Sequence, residues 1–537
     1  MEAYPKTIWK EYKFQILIVI ATSAIVYLNT FGNGFVFDDN SLILRNHWIR
    51  DITFLPDIFT NNAWAFQAES SGNYYRPLMH VVYMLGYAIS GLQPWGYHLL
   101  NVLLYICTSV LVFLLAEILF HDKAAASKGI PIPLMAGVIF AVHPIHTEAV
   151  AWVAGIPDLS YSLFCLLSLY LYIKSENRFN RYYFVSVTAF FVGTLFKEPA
   201  LSLIVFLIAY DLLLNKNKMG SSLLLKRHIP FFLAASAYLG IRYFVLSGSI
   251  VPERTGHAEY GLYDTVIIVS TYIKQLVIPY KLQIVYSFRP VGSLFEPRML
   301  VALFVIALVI AFYYLCFKRD KLAFFFLLII LTPLIPCLYV KAISGPSLLA
   351  ERYLYLPSAG YAVLLSMIIS RVGSSKGTAV AVPAFLLLTA LFSVGTINRN
   401  ADWKDDYSMW SDAVKKSPDN ATAHDNLGAE YEKKGQYELA EAEFLAALKG
   451  YPIEVDAYKN LGITYKTMGR LDESIAAFSE YLRVKPNDAN AHNDLGTVYI
   501  KKDDLERAKE HFQAAARLNP SKTIFRRNLE KVQQEMQ

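Results

Sequence analysis

Apolar runs recur through residues 1–402, near 14–31, 98–120, 131–142, 159–173, 182–196, 199–214, 229–247, 297–317, 321–340, 355–370 and 379–397. Crossing a bilayer takes about 20 mostly apolar residues in a helix. Lipid offers the backbone no hydrogen-bond partners, so each run must satisfy its own N–H and C=O groups, and a helix does this within one segment. Several runs are short and extend into their flanks. Two more stretches, 78–92 and 263–279, mix Tyr, His, Lys and Gln into the apolar pattern and suit the interface as well as the interior. Charge divides the chain in the same way. Residues 1–402 hold 51 charged residues with a net of +9, whereas residues 403–537 hold 43 in a third of that length with a net of −3. The expectation is an all-α chain: a polytopic membrane helical bundle of about eleven spans over 1–402, then a polar soluble tail over 403–537. A wholly soluble enzyme, a disordered chain and a disulfide-rich secreted domain are excluded. Cys107, Cys165, Cys316 and Cys337 all lie in apolar runs, where reduced Cys acts as a small hydrophobe.

Cytoplasmic loops collect Lys and Arg. Six segments are basic: the N-terminus with Lys6, Lys10 and Lys13, and the loops carrying Lys123 and Lys128, Lys174 to Arg181, Lys216 to Arg227, Lys318 to Lys321, and Arg371 with Lys376. They must share one face. Counting 263–279 as non-spanning meets that condition and puts the tail outside. No A-x-A site follows the first run, which is expected to remain as the first span. The outer loops are then 32–97, 143–158, 248–296 and 341–354, rich in Trp, Tyr, His, Asp, Asn and Pro. Chemistry is expected there.

The tail repeats every 34 residues. Pro418, Pro452, Pro486 and Pro520 hold one column, and Leu427, Leu461 and Leu495 another. Gly428, Gly462 and Gly496 follow, with Tyr431, Tyr465 and Tyr499, the small residues Ala440, Ser474 and Ala508, and Phe444, Phe478 and Phe512. A 34-residue helix–turn–helix unit with these columns resembles the tetratricopeptide repeat. Small residues let paired helices approach, aromatics fill the gap between units and Pro closes each one. Three full repeats are expected, with a half repeat over Trp403–Pro418 and a capping helix at 521–535. The concave face of such an array suits a peptide or protein; a spacer without a ligand is the alternative.

Four constellations could carry chemistry. Asp38-Asp39 closes the first span on its outer side, where a carboxylate could act as a general base or hold a divalent cation. His143, His146 and Glu148, followed by Trp152 and Asp158, could form a metal site or an ordered hydrogen-bonding loop. Lys197-Glu198 interrupts an apolar hairpin on the outer side; Lys197 could meet a lipid phosphate while Glu198 orients it. Glu351-Arg352 opens a span, and Arg suits bidentate contact with phosphate. Arg76, Arg242, Arg254, Lys274 and Arg289 also face outward, some as ordinary surface charges. The motifs G-x-x-x-x-G-K-[ST] and G-x-G-x-x-G do not occur, and the basic residues form no nucleic-acid stripe.

Taken in order, five segments carry a resemblance: Asn33–Asn40, Tyr75–Leu78, His143–Val153, Phe196–Glu198 and Glu351–Gly360, with Arg399, Asn400 and Trp403 leading into the repeats. Together they resemble the transmembrane and tetratricopeptide-repeat O-mannosyltransferase family. The resemblance implies a C-type glycosyltransferase fold that takes a sugar, mannose-like, from a polyprenyl-phosphate carrier and passes it to a protein hydroxyl on the outer or lumenal side. It implies that Asp38 or Asp39 is the base and that Lys197 and Arg352 meet the lipid phosphate. The other Asp, Arg76, His146, Glu148 and Glu351 would shape the substrate pocket, and the repeats would bind the acceptor or a partner. Animal members of the family carry longer arrays. The shorter array points to a prokaryotic homologue in a bacterial inner membrane with a periplasmic tail; the alternative is the endoplasmic reticulum with a lumenal tail. A non-catalytic membrane scaffold displaying the repeats is the rival reading.

Overall fold

The computed structural model describes residues 8–67, 73–121, 130–215, 219–246, 261–338, 348–450 and 454–537. Lys6, Lys123, Lys128, Lys216, Lys218, Arg254 and Pro452 lie outside the described residues, as do the side chains of Lys10, Cys337 and Lys376. The chain divides into two compact units. One is 1–284 with 290–405, and the other is 285–289 with 406–537. No strand occurs among the described residues, so the all-α membrane bundle followed by a repeat solenoid is the observed fold class.

In the first unit, six helices among the described residues are long and apolar enough to cross a membrane: Tyr12–Gly32, Pro94–Phe120, Val153–Lys174, Pro297–Arg319, Glu351–Gly373 and Thr378–Trp403. Ile132–Val142 and Pro144–Ala151, bent by 48°, would make a seventh. Pro77–Ser90, Arg181–Phe196 and Lys321–Pro336 are shorter apolar helices. Length and composition therefore support fewer spans than the eleven expected. The shortfall has a local cause. The run at 131–142 stops at His143 (φ −69°, ψ 123°) and the run at 182–196 stops at Lys197 (φ −163°, ψ 142°), each in extended backbone. The run at 199–214 begins as a 3-10 turn and leaves only Leu203–Leu213 as helix. Residues 263–279 fold as the helix Leu262–Val277, with Asp264, Tyr272 and Gln275 buried.

Packing inside this unit is partly polar. Ser168 and Ser186 exchange hydroxyl-to-carbonyl hydrogen bonds of 2.8 and 2.7 Å, the close approach that small residues allow between membrane helices. Arg227, from one of the basic loops, is wholly buried. Its guanidinium donates to Asn177 at 2.6 Å and Ser175 at 2.9 Å, and it lies 4.2 Å from the Tyr172 ring centroid.

The second unit is a stack of helix pairs. Ala421–Lys433 packs on Tyr437–Lys449, Asp456–Met468 on Leu471–Val484, and Ala489–Lys501 on Leu505–Leu518. Asp406–Lys416 precedes them and Thr523–Glu535 follows. The glycine column explains the spacing. A Cβ at Gly462 would lie 2.8 Å from the Phe478 ring, which is itself fully buried. Gly462→Ala should therefore destabilise the tail by about 1–3 kcal/mol, the usual cost of overpacking. Amide exchange of 456–484 in the intact protein checks this; unchanged protection would show that the ring has room to yield.

Candidate active site

The 33–39 segment leaves the first span as a loop held from below. The Asn33 side chain donates to the Asn400 carbonyl at 3.1 Å, and the Gly34 N–H donates to the Lys404 carbonyl at 2.8 Å. Phe37 then takes φ +51°, a left-handed conformation that bulky residues avoid. That turn sends the two carboxylates to different places. Asp39 is fully buried; its oxygens accept from the Val36 N–H at 3.1 Å and the Ala154 N–H at 2.8 Å. It pins the loop to the 152–155 turn. Asp38 is partly exposed and lines an open cavity with Arg76, Trp152, Asp158, Lys197 and Arg352. Burial pushes its carboxyl up to about 6, against the opposing pull of the Arg352 charge.

The cations reach the cavity already partnered. Lys197 Nζ sits 2.6 and 2.7 Å from the two Asp158 oxygens and 4.8 Å from the Tyr353 ring centroid. Its sequence neighbour Glu198 instead takes Arg76, at 3.5 Å, and Arg242. Extended backbone at Lys197 explains the split, because successive side chains then point to opposite sides. Glu351 and Arg352 separate too, though they share a 3-10 turn over Glu351–Leu354. Arg352 pairs with Glu148, which also accepts the Arg352 N–H at 2.9 Å. Glu351 accepts from Arg399 at 2.8 Å and from the Gln283 N–H at 2.7 Å. Lys197 with Asp158 and Arg352 with Glu148 are neutral pairs. Arg76 and Arg242 about one Glu198 leave one positive charge over, and Arg242 also donates to the Asn73 carbonyl at 3.0 Å.

Of the residues singled out in the sequence, Asp38, Arg76, Trp152, Asp158, Lys197 and Arg352 meet at this cavity. Glu148 acts on it through Arg352. Asp39 and Glu351 face away, into backbone and Arg399. His146 is buried with its ring nitrogens 3.2 Å from the Tyr105 hydroxyl and 2.6 Å from the Ser358 hydroxyl. His143 Nε2 lies 3.0 Å from the Leu276 carbonyl. Among the described residues no three His, Cys, Asp or Glu side chains are grouped to hold a metal ion. Lys274 is exposed, and Arg289 pairs with Asp419 within the tail unit. Sequence reasoning missed the pairing of Asp158 with Lys197 and the aromatic lining by Trp64, Tyr74 and Tyr353. The available signal was an acidic residue opening an apolar helix, which is costly at membrane depth without a cation.

The family described as Dolichyl-phosphate-mannose-protein mannosyltransferase matches residues 76–242, and the Tetratricopeptide repeat family matches 426–486 and 459–523. Protein O-mannosyl-transferase TMTC3 of Mus musculus is 28% identical over 476 residues, covering 81% of this chain and 50% of that protein. A Protein O-mannosyl-transferase of Caenorhabditis elegans is 27% identical, covering 81% of this chain and 62% of that one. TMTC2 of Mus musculus reaches 34% identity over a shorter 234 residues, 41% of this chain and 27% of that protein. The chain thus spans about half the length of the first of these relatives. Among solved structures, the crystal structure of ArnT from Cupriavidus metallidurans bound to undecaprenyl phosphate aligns over 90% of this chain and 81% of that one, at 12% identity and a TM-score of 0.37. This integral membrane protein thus matches the mannosyltransferase family over part of its membrane body and the tetratricopeptide repeat family in its tail, and over four-fifths of its length it is similar to the TMTC protein O-mannosyl-transferases.

Proposed function

We propose that the chain is a membrane glycosyltransferase that moves one sugar, mannose-like, from a polyprenyl-phosphate carrier to a hydroxyl of a protein acceptor. One observation carries the reading: Asp38, with its proton affinity raised, shares a cavity wall with Arg76, Lys197 and Arg352. Asp38 takes the proton of the acceptor hydroxyl as the oxygen attacks the anomeric carbon. The bond from that carbon to the phosphate oxygen breaks, and the phosphate leaves on its lipid with the bonding pair. The surplus positive charge at Arg76 and Arg242 meets the charge that develops there, in a site sheltered enough for such contacts to count. Lys197 and Arg352 add N–H donors along the same wall. Trp64, Tyr74 and Tyr353 supply apolar faces for the sugar ring. The repeats bring the acceptor or a partner. The basic loops favour a site and tail on the outer face, periplasmic in a bacterial inner membrane or lumenal in the endoplasmic reticulum.

A raised carboxylate acting as base must be ionised to work. Activity is therefore present above its pKa and lost as pH falls through it. Transfer from labelled polyprenyl-phosphate mannose, measured as kcat/KM against pH in membranes, should show an acid limb near pH 6. A limb near the ordinary carboxylate value of about 4 would remove Asp38 from the role. No transfer from any polyprenyl-phosphate sugar by the inserted wild type would favour the scaffold reading.

A further inference from the structure

The loop that carries Asp38 is also held by residues that do not line the cavity. The last turns of the Thr378–Asn400 helix and the segment after it run along the outer end of the first span. Asn29 donates to the Ile397 carbonyl at 2.9 Å, and Asn400 donates to the Val26 carbonyl and the Asn29 side chain, both at 2.8 Å. Asn33 and Gly34 complete the seam through the Asn400 and Lys404 carbonyls. Asn400 is fully buried and Trp403 nearly so. The Trp403 ring stacks on Trp152 at 6.0 Å and 24°. Trp152, in the cavity wall, also meets the Phe37 ring at 6.2 Å and the Arg352 guanidinium at 5.3 Å. Its carbonyl accepts from Asn101 at 2.9 Å.

A left-handed phenylalanine next to the base persists only where its surroundings over-determine it. The seam and the tryptophan stack supply that restraint from two sides, one on the backbone before Phe37 and one on the ring against it. We infer that Asn400 and Trp403 are positioning residues for the transfer reaction: the 397–404 strap fixes the 33–39 loop so that Asp38 meets the acceptor hydroxyl in line with the donor. This rests on the glycosyl-transfer reading for its kinetic consequence but not for its structural one.

The test uses the full chain in lipid nanodiscs, with Trp403→Ala, Asn400→Ala and Trp403→Phe beside wild type. Two readings are taken: kcat and donor KM with polyprenyl-phosphate mannose, and amide hydrogen exchange over 34–39. A misplacement of about 1 Å costs on the order of 10²-fold in rate. The two alanine variants should thus lose between about 10- and 100-fold in kcat, with donor KM within about threefold because the cations are untouched. Trp403→Phe keeps a stacking ring and should recover most of kcat. Exchange at 34–39 should quicken in the alanine variants while 156–174 stays protected. Unchanged kcat per inserted molecule, or a loss confined to KM, overturns the inference. If wild type transfers no sugar, exchange decides alone: faster exchange at 34–39 keeps the strap while the transfer reading falls, and unchanged exchange sinks the strap. Should Trp403→Ala fail to insert, Asn33→Ala removes one bond of the seam and takes the same readings.

Discussion

Asp38→Asn should abolish sugar transfer while leaving the protein inserted and folded, whereas Asp39→Asn should do the reverse. A positioned general base is worth about 10²–10⁴-fold, so the loss in kcat for Asp38→Asn falls in that range, and the acid limb near pH 6 disappears with it. Asp39 has no room to act as a base. Both of its oxygens are engaged by backbone N–H groups, and it is sealed from solvent. An amide there must turn an NH2 toward one of those donors. Leaving a buried group unsatisfied costs about 1–3 kcal/mol, which lowers thermal stability and yield more than turnover per folded molecule. Transfer assays normalised to inserted protein, with a melt in detergent, separate the two. Equal kcat losses with unchanged melting in both variants would show that the carboxylates act as a pair, contrary to the geometry.

Lys197→Met should be damaging twice over. Lys197 and Asp158 are almost wholly buried and face each other at 2.6 and 2.7 Å. Removing one partner of a buried pair leaves an uncompensated charge at a cost of about 3–5 kcal/mol, while replacing both with apolar residues is often neutral. The double change Lys197→Met with Asp158→Leu should therefore recover most of the stability lost in the single one. It should not recover transfer. A donor aimed at developing charge is worth on the order of 10²-fold or more in rate, and kcat/KM is expected to stay down by about that much. Thermal melts and transfer assays on both variants check this. Recovery of activity along with stability would reduce the pair to a structural tie and leave the phosphate to Arg76, Arg242 and Arg352.

The site was legible in its parts and not in its connections. The sequence marks Asp38-Asp39, Lys197-Glu198 and Glu351-Arg352 as charges out of place among apolar residues, and each dipeptide invites a reading as a unit. In the folded protein all three come apart. Asp38 faces the cavity and Asp39 the backbone; Lys197 goes to Asp158 and Glu198 to two arginines; Arg352 goes to Glu148 and Glu351 to Arg399. Backbone conformation at a single residue, φ +51° at Phe37 or extended geometry at Lys197, decides which way a side chain points. No composition or spacing encodes it.

The membrane body and the repeat tail were decided by the sequence alone, because both rest on local rules. A run in lipid must close its own hydrogen bonds, and a repeat buries its face against the next copy of itself at a fixed 34-residue interval. The number of spans was not so decided, since Pro, His143 and Lys197 end runs that composition would continue. Tertiary structure alone set Asp38 in the cavity and Asp39 against the backbone, matched each cation to its carboxylate and brought the 397–404 strap under the 33–39 loop. Those choices depend on contacts between residues tens to hundreds of positions apart, whose energies are settled only when buried charges must find partners in a shared interior.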